Sequence, residues 1–324
     1  MSESGIFTGR MLVVAFEGWN DAGEAASGAV TTLKDLLELS PIAEIDSEKY
    51  FDYQFNRPTV SVDEDGNRLL TWPTVATYGP AALATDRDSR GEGGEHDGAS
   101  HAVGDNSSNI YLLLGTEPSR NWRSFTDEIM ATIRESRITG IVFLGAMLAD
   151  VPHTRPISVF VGSENEEVRA ALGVERSSYE GPVGILSVLG DAAEKAGIPT
   201  VSIWASVPHY VHNAPSPKAT LAIIDKLEEI IDIVIPRGEL VDESAAWENG
   251  IDVLAGEDEE MATYIAQLEQ ARDTVDSPEA SGEAIAQEFE RYLRRRDGKA
   301  GGNSGQGPSS PPGPPGSDDW RPKD

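Results

Sequence analysis

The chain has 324 residues, with 26 Lys and Arg against 55 Asp and Glu, a formal net charge of −29 and no cysteine. The missing cysteines exclude disulfides, thiolate metal sites and a cysteine nucleophile, and the acidic balance argues against nucleic acid, which needs a basic footprint. The sequence shows no secretory signal and no apolar run near the roughly 20 residues of a membrane span, so we expect a cytoplasmic protein.

The stretch from residue 11 to residue 30 predicts the opening unit of an α/β sheet. Residues 11–16 are continuously apolar, which is typical of a strand that is buried on both faces. A turn at Gly18 follows, and Asp21 with Glu24 three residues later matches a capping box at the start of an Ala-rich helix.

Strands and helices then alternate as far as residue 235. Strands are predicted at residues 42–45, 110–114, 141–144, 159–162 and 200–204, and a β-hairpin with an Asp-Gly turn at 59–62 and 68–72. Helices are predicted at residues 122–136, 184–196 and 218–231. This alternation predicts an α/β fold with a mainly parallel sheet flanked by helices.

Composition shifts divide the chain into an N-terminal arm and three further segments. We predict an arm at 1–10, an α/β domain at 11–237, a C-terminal helical subdomain at 238–297 and a disordered Gly/Pro/Ser tail at 298–324. Within the α/β domain, residues 86–108 have almost nothing to bury and predict a disordered acidic loop. Two apolar stripes in the helical subdomain predict a helical hairpin, namely Met261, Tyr264, Ile265 and Leu268, then Ile285, Phe289, Tyr292 and Leu293.

Three loops follow buried strands at what we predict to be the same edge of the sheet, where ligand sites of α/β folds collect. The loops span residues 17–21, 145–155 and 205–212, and they could bring together Glu17, Asp21, His153, Arg155, His209 and Tyr210. A histidine beside a carboxylate would form an acid/base pair, and Arg155 could hold an anionic group.

Each of these residues also has a structural interpretation. Asp21 and Glu24 would serve only as helix caps, and His153 and His209 would bond the backbone of their loops. Arg155 would pair with Glu17 or with a neighbouring subunit.

Other candidate ligand-binding residues lie in two turns and one loop. They are Gly18, Trp19 and Asn20 in the first turn, Gly181 and Gly184 in the turn before residue 185, and Tyr210 in the third loop. The turn before the helix at residue 185 is the better anion nest, because its helix starts without acidic caps, although Glu180 beside it counts against an anion. We predict no metal site and no cofactor, since no His-x-x-x-His helix and no Gly-rich phosphate loop is present.

Five sequence blocks in this order resemble the bacterial branch of the proteasome assembly chaperone 2 family. They are residues 18–25, 152–156, 179–185, 204–210 and 215–220. The resemblance implies a phosphorylase/hydrolase-like fold with the layout of nucleoside phosphorylases, a homo-oligomer that is a homotrimer, and a part in assembling proteasome core particles. Family members that dock on proteasomes often end in hydrophobic–tyrosine–any residue, whereas this sequence ends in Arg-Pro-Lys-Asp. The family carries no agreed catalytic residues to transfer.

The first functional hypothesis is therefore a non-enzymatic, homo-oligomeric interaction or assembly factor that contacts proteasome core subunits. The alternative is an enzyme on a nucleoside-phosphorylase-like scaffold that acts on a small nucleoside-like or anionic substrate. In that alternative, His153 or His209 is the general acid/base and Arg155 clamps the anion. It depends on the three loops converging, because a fold alone does not carry a function.

Overall fold

A computed structural model describes residue 7 and residues 9–63, 65–80 and 109–276. Its strands are β1 (Arg10–Glu17), β2 (Ser40–Glu44), β3 (Thr59–Val62), β4 (Arg68–Thr71), β5 (Val75–Gly79), β6 (Ile110–Thr116), β7 (Ile138–Ala149), β8 (Val159–Gly162) and β9 (Thr200–Pro208). Its α-helices are α1 (Ala25–Leu36), α2 (Ser47–Tyr50), α3 (Trp122–Glu135), α4 (Glu166–Leu172), α5 (Ile185–Lys195), α6 (Pro217–Ile231), α7 (Leu240–Gly256) and α8 (Glu259–Asp276).

Several predictions fall outside these residues. The acidic loop at 86–108, most of the arm at 1–10, the second apolar stripe of the helical hairpin and the tail at 298–324 are among them. Contacts between Cα atoms divide the chain into Met1–Gln270 and Ala271–Asp324. The domain boundaries predicted at residues 237 and 297 stay predictions.

Seven strands form one sheet in the order β2-β5-β6-β1-β7-β9-β8. Strands β6, β1, β7 and β9 pair in parallel, and β2 runs in the same direction because two antiparallel pairings separate it from β6. Only β5 and β8 run the other way within this sheet. The predicted α/β fold with a mainly parallel sheet is confirmed, while the likeness to nucleoside phosphorylases stays a prediction.

Strand β1 lies at the centre because its side chains are apolar on both faces. Met11, Val13 and Ala15 enter one core, which α1 and α6 cover. Leu12 and its alternate neighbours enter the other core, which α3 and α5 cover. The two cores follow from the period-2 alternation of side chains along a strand.

Neighbouring strands β1 and β6 send the chain to opposite faces of the sheet. The helix after β1 packs into the first core, and the helix after β6 packs into the second. The carboxyl ends of β1 and β6 therefore flank a topological switch point, where open α/β sheets form their crevices. We call the site formed by Glu17, Asn20, Glu117 and Ile185 the switch-point crevice.

Two strands are longer than predicted, which corrects the bounds of two loops. β7 and β9 pair with each other as far as Ala149 and Pro208, so the second loop begins at residue 150 and the third at residue 209. Strand β5 and the short helices α2 and α4 were not predicted. Helices α7 and α8 lie in the predicted C-terminal helical region, and its first apolar stripe lies on α8.

The predicted hairpin at 59–62 and 68–72 is confirmed as β3 and β4, which form a two-stranded antiparallel sheet of their own. Every residue of both strands is exposed. No helix in the described part of the chain combines the length and the apolarity that crossing a bilayer requires.

Candidate functional site

The switch-point crevice is closed by a carboxylate of the chain itself. Glu117 follows β6, and its Oε1 accepts hydrogen bonds from Asn20 Nδ2 at 3.1 Å and from the backbone N–H of Ile185 at 2.8 Å. Asn20 is 2% exposed, and Ile185 is the first residue of α5. Glu117 thus occupies the positive end of a helix dipole and ties β1, β6 and α5 together.

This arrangement explains why residue 184 is a glycine. A Cβ atom at Gly184 would overlap the side-chain amide of Asn20, so the close approach of the two loops requires a residue without a side chain. The Glu117 carboxylate lies at the predicted anion nest from Gly181 to Gly184, because it accepts from the first backbone N–H of α5, which follows the nest. An external anion would have to displace Glu117 from that position.

Three exposed apolar side chains surround the crevice. Trp19 is 63% exposed, Tyr179 63% and Val183 47%. Trp19 and Val183 each precede one member of the contact between Asn20 and Gly184, and the Tyr179 hydroxyl donates to the carbonyl of Pro182 at 2.9 Å. We call Trp19, Tyr179 and Val183 the crevice rim.

Asp21 caps the first helix, but not through the predicted capping box. Its Oδ1 accepts from the backbone N–H of Ala26 at 2.7 Å and of Ser27 at 3.2 Å, across a short 3-10 turn. Gly23 and Glu24 have φ values of 61° and 50°, so the chain changes direction between Asp21 and α1. Glu24 precedes the helix and makes no side-chain cap hydrogen bond, which corrects its predicted role.

The second carboxylate oxygen of Asp21 is buried, and no hydrogen-bond partner for it is found among the described residues. Burial raises the pKa of Asp21, and the hydrogen bonds from Ser27 and Ala26 lower it only in part. The charged form of this carboxyl is therefore disfavoured in the folded protein.

His153 lies at the centre of a second group of polar residues beyond β7 and β9. Its backbone N–H donates to the Tyr210 hydroxyl at 2.7 Å, its Nδ1 lies 2.8 Å from the same oxygen, and its Nε2 lies 3.1 Å from Asp252 Oδ1. A phenol accepts two hydrogen bonds and donates one, so we assign Tyr210 as the donor to Nδ1 and Nε2–H as the donor to Asp252. Each polar atom of the buried ring then has a partner.

Tyr210 stays a neutral phenol in this setting. Burial raises the pKa of Tyr210 to about 12, and the charges of Glu269 and Asp252 act in the same direction. The hydrogen bond from the His153 backbone lowers it only in part. Tyr210 can therefore donate a hydrogen bond to His153 throughout the neutral pH range.

The C-terminal helices hold the His153 loop in place. Lys218 Nζ donates to the His153 carbonyl at 2.6 Å and pairs with Glu248 of α7. Trp247, also on α7, meets the His153 ring edge to face at 6.4 Å between centroids. Asp252 of α7 completes the set, so α7 contacts the His153 ring through a hydrogen bond and an aromatic contact, and reaches the His153 carbonyl through Lys218.

Helix α8 is held by the residues around His209 and Arg155. His209 Nδ1 lies 3.2 Å from Asp150 Oδ1, an ion-pair distance without hydrogen-bond geometry, and packs on the ring of Tyr264. Arg155 Nη1 lies 3.3 Å from Glu269 Oε1. Its described carboxylate partner is thus on α8 rather than Glu17.

The six predicted acid/base and anion residues divide into two places. Ring contacts join His153 and His209 through Tyr210. Glu17 belongs to the switch-point crevice, where its carboxylate accepts from the Thr116 hydroxyl at 3.0 Å. Among the hydrogen bonds, ion pairs and ring contacts of the described residues, none links Glu17 or Asp21 to either histidine.

The sequence reasoning missed Glu117 and the acidic residues of the C-terminal helices, namely Glu248, Asp252 and Glu269. Glu117 had a signal, since it comes directly after β6, next to the strand end where Glu17 closes β1. The other three had none without α7 and α8 in place. The described ranges contain no cluster of three or more histidine, aspartate or glutamate side chains that could hold a metal ion.

The fold, the switch-point crevice and the polar group around His153 define a class of protein. It is a mixed α/β domain in which the chain's own side chains occupy the strand ends, and its C-terminal helices pack over the group around His153. The family model described as PAC2 family matches residues 15–255, and the chain belongs to the PAC2 family.

Solved structures agree with this membership. A PAC2 family protein from Streptomyces avermitilis is 41% identical, with a TM-score of 0.65, over 79% of this chain and 99% of its own. A proteasome-assembly chaperone homologue from Mycobacterium tuberculosis is 38% identical, with a TM-score of 0.63 and the same coverage. PbaA of Pyrococcus furiosus, at 17% identity and a TM-score of 0.51 over 82% of this chain and 96% of its own, shares the fold. No curated protein matches the chain.

The Tyr210 hydroxyl should stabilise the fold through His153. In Tyr210→Phe, the buried backbone N–H and Nδ1 of His153 lose their partner, which should lower the free energy of unfolding by about 1–3 kcal/mol. Tyr264→Phe is the matched control, because within the described ranges its hydroxyl bonds only the exposed Asp150, at 3.4 Å. Urea unfolding of both variants measures the difference, and equal losses would contradict the role given to Tyr210.

Glu117 should be more important for stability than other carboxylates near the crevice. Glu117→Ala leaves the Asn20 amide and the Ile185 N–H unpaired, at a cost of about 1–3 kcal/mol for each. Glu117→Gln keeps an acceptor oxygen and should lose less. Glu180→Ala, at an exposed position in the same loop region, should change the free energy of unfolding by less than about 0.5 kcal/mol. A Glu117→Ala protein as stable as wild type would exclude this role.

Asp21 should make stability fall as the pH rises. Because burial raises its pKa, the folded state holds the proton to higher pH than the unfolded state does, so the contribution is present in acid and lost above the folded-state pKa. Asp21→Asn does not titrate, so wild type should lose stability relative to this variant as the pH rises above about 4, the ordinary pKa of an aspartate. Parallel pH profiles in chemical denaturation would show that Asp21 does not titrate in this way.

Proposed function

We propose that this chain is a non-enzymatic assembly factor for proteasome core particles. The observation that carries the proposal is membership of the PAC2 family, together with 38% identity to a proteasome-assembly chaperone homologue over 99% of that protein's length. The fold shared with an archaeal homologue of proteasome-assembly chaperones is consistent with it.

The geometry of the candidate residues supports a binding rather than a catalytic role. His153 is buried with both ring nitrogens engaged, Arg155 pairs with Glu269, and Asp21 caps α1. Groups used in this way hold loops and helices in position. We therefore assign the function to the surrounding surface, which can bind a partner, and not to a reactive side chain.

We propose that the crevice rim contacts the proteasome subunit. Exposed aromatic and branched side chains clustered on a rigid support are typical of the centre of a protein interface. Trp19, Tyr179 and Val183 meet this description, and the Glu117 hydrogen bonds fix the loops that carry them. The surrounding acidic residues, including Glu17 and Glu180, favour a basic partner surface.

The protein would act as a homo-oligomer in the cytoplasm. The family resemblance implies a homotrimer, and exposed apolar residues such as Leu254 at 67% and Leu148 at 49% are consistent with subunit contacts. The composition, acidic and without cysteine, is consistent with the cytoplasmic location.

Reconstitution of core particles from separately purified α and β subunits of the same organism tests this function. We expect the full chain to change the amount or rate of half-particle formation on native gels, and to co-purify with at least one subunit. Trp19→Ala should weaken both effects at least about tenfold, a loss typical of an interface hot spot. Phe160→Ala, also an exposed aromatic, is the control and should keep them.

Unchanged assembly kinetics together with no captured subunit would overturn the proposed function. Equal effects of Trp19→Ala and Phe160→Ala would overturn the assignment of the crevice rim alone.

A further inference from the structure

The β3–β4 hairpin is an arm that the rest of the described chain leaves uncovered. Its strands pair only with each other in the sheet topology, and every strand residue is exposed. Trp72 follows β4 and packs edge to face on Tyr53, with 4.9 Å between ring centroids. The arm is thus fixed at its base, and because an isolated two-stranded hairpin is at best marginally stable in water, a partner that covers it would stabilise it.

One face of this arm is apolar. Val60 pairs with Leu70 and Val62 with Arg68, so these four side chains share a face with Trp72, two residues beyond Leu70. The exposed fractions of Val60, Val62, Leu70 and Trp72 are 49%, 66%, 51% and 46%. A contiguous apolar surface of this kind marks an interface. We call these five residues the arm face.

Helix α7 carries a second uncovered row. Ala246, Gly250 and Val253 follow one another at spacings of four and three residues, so they share one side of the helix, and Leu254 lies beside them. Val253 is 64% and Leu254 67% exposed, and a Cβ atom at Gly250 would meet no atom within 4 Å. The buried residues of α7 lie on the other side, namely Ser244, Ile251 and Ala255.

Carboxylates stand at both ends of this row. Asp242 lies one turn before Ala246, and Glu257 lies one turn after Val253. The chain has no Lys, Arg or His from residue 238 to residue 271, and none of the ion pairs of the described residues includes Asp242 or Glu257. We call the following residues the α7 face: Asp242, Ala246, Gly250, Val253, Leu254 and Glu257.

The arm face and the α7 face match in length and in charge. The arm face extends about 13 Å from Arg68 to Trp72, and the apolar row of the helix extends about 11 Å from Ala246 to Val253. Arg68 alone is charged among the five residues of the arm face. Because a carboxylate flanks the helical row at each end, Arg68 meets one whichever way the helix lies on the arm.

The two faces belong to different halves of the molecule. The arm is inserted between β2 and β5, and its base at Trp72 lies beside the end of β2, on one edge of the sheet. Helix α7 packs on α6 and bonds the loop after β7, on the other side of the central strand β1. Two unlike faces on different parts of a subunit form a head-to-tail contact, and contacts of this kind close into rings.

We propose that the arm face of one copy packs on the α7 face of the next copy in a head-to-tail ring. The charge of the chain favours this pairing, since two molecules of net charge −29 repel unless a cation lies at the contact, and Arg68 supplies one. A ring of three copies uses every arm face and every α7 face. The inference rests on the homo-oligomeric part of the proposed function and identifies the surfaces that form it.

Sedimentation velocity of the purified full chain over a dilution series tests the arm face. Wild type should sediment as a trimer, and Leu70→Asp should weaken self-association at least about tenfold, because it buries a charge in the apolar contact. Leu69→Asp is the matched control, since Leu69 is the adjacent leucine, 57% exposed, on the opposite face of the arm. Circular dichroism checks that each variant is folded.

The same measurement tests the α7 face. Leu254→Asp should weaken self-association at least about tenfold for the same reason. Val241→Asp is the control on this helix. Val241 is also apolar and 51% exposed, but it lies half a turn around the helix from Gly250.

A mixture of the two disrupted variants distinguishes a head-to-tail contact from a two-fold one. Leu70→Asp keeps its α7 face and Leu254→Asp keeps its arm face, so the equimolar mixture should form a heterodimer through one intact contact although each variant alone is monomeric. A contact of arm with arm, or of helix with helix, would leave the mixture monomeric.

Four outcomes would overturn the proposal: a monomeric wild type, an unchanged mass for Leu70→Asp or Leu254→Asp, equal losses in the control variants, or a mixture without heterodimer. The measurement contains no proteasome subunit, so failure of the assembly function would leave its result unchanged.

Discussion

Burial of β1 on both faces is the constraint on which the rest of the structure depends. A strand that is apolar on each side needs helices above and below the sheet, so the segments after β1 and β6 must leave in opposite directions. Their divergence opens a crevice at the strand ends. In many α/β proteins a ligand occupies that opening. Here the Glu117 carboxylate occupies that opening. Its hydrogen bonds fix the loop that carries the exposed Trp19.

A second region follows the same logic with different chemistry. Beyond β7 and β9, His153 is the centre of a network whose other members come from the turn after β9, from the start of α6 and from α7. Two loops and two helices, distant in sequence, are joined by hydrogen bonds that a buried imidazole can make in two directions at once. Polar residues that resemble an acid/base set in the sequence therefore serve to attach the C-terminal helices.

The sequence predicts the parts of this protein whose signals are local. The apolar runs of β1 and β6 and the Asp-Gly turn of the hairpin fix their elements without distant partners. The extent of β7 and β9 depends on their mutual pairing, and the turn around Asp21 depends on two left-handed residues. Helix α7 lies in the predicted helical region but shows no clean stripe, because Val253 and Leu254 are exposed while Ser244 is buried, so neither its bounds nor the role of Asp252 could be inferred.

The ion pair between Lys218 of α6 and Glu248 of α7 couples the two helices in addition to their packing. Lys218 lies in the first turn of α6, where the helix dipole is positive and a cation is disfavoured. Its pairing with Glu248 offsets that cost only while α7 is in place. Detachment of α7 would leave Lys218 at the start of α6 without its carboxylate partner and would remove Asp252 from the His153 ring. The two helices therefore belong to one cooperative unit, whose amides should exchange with solvent together rather than helix by helix.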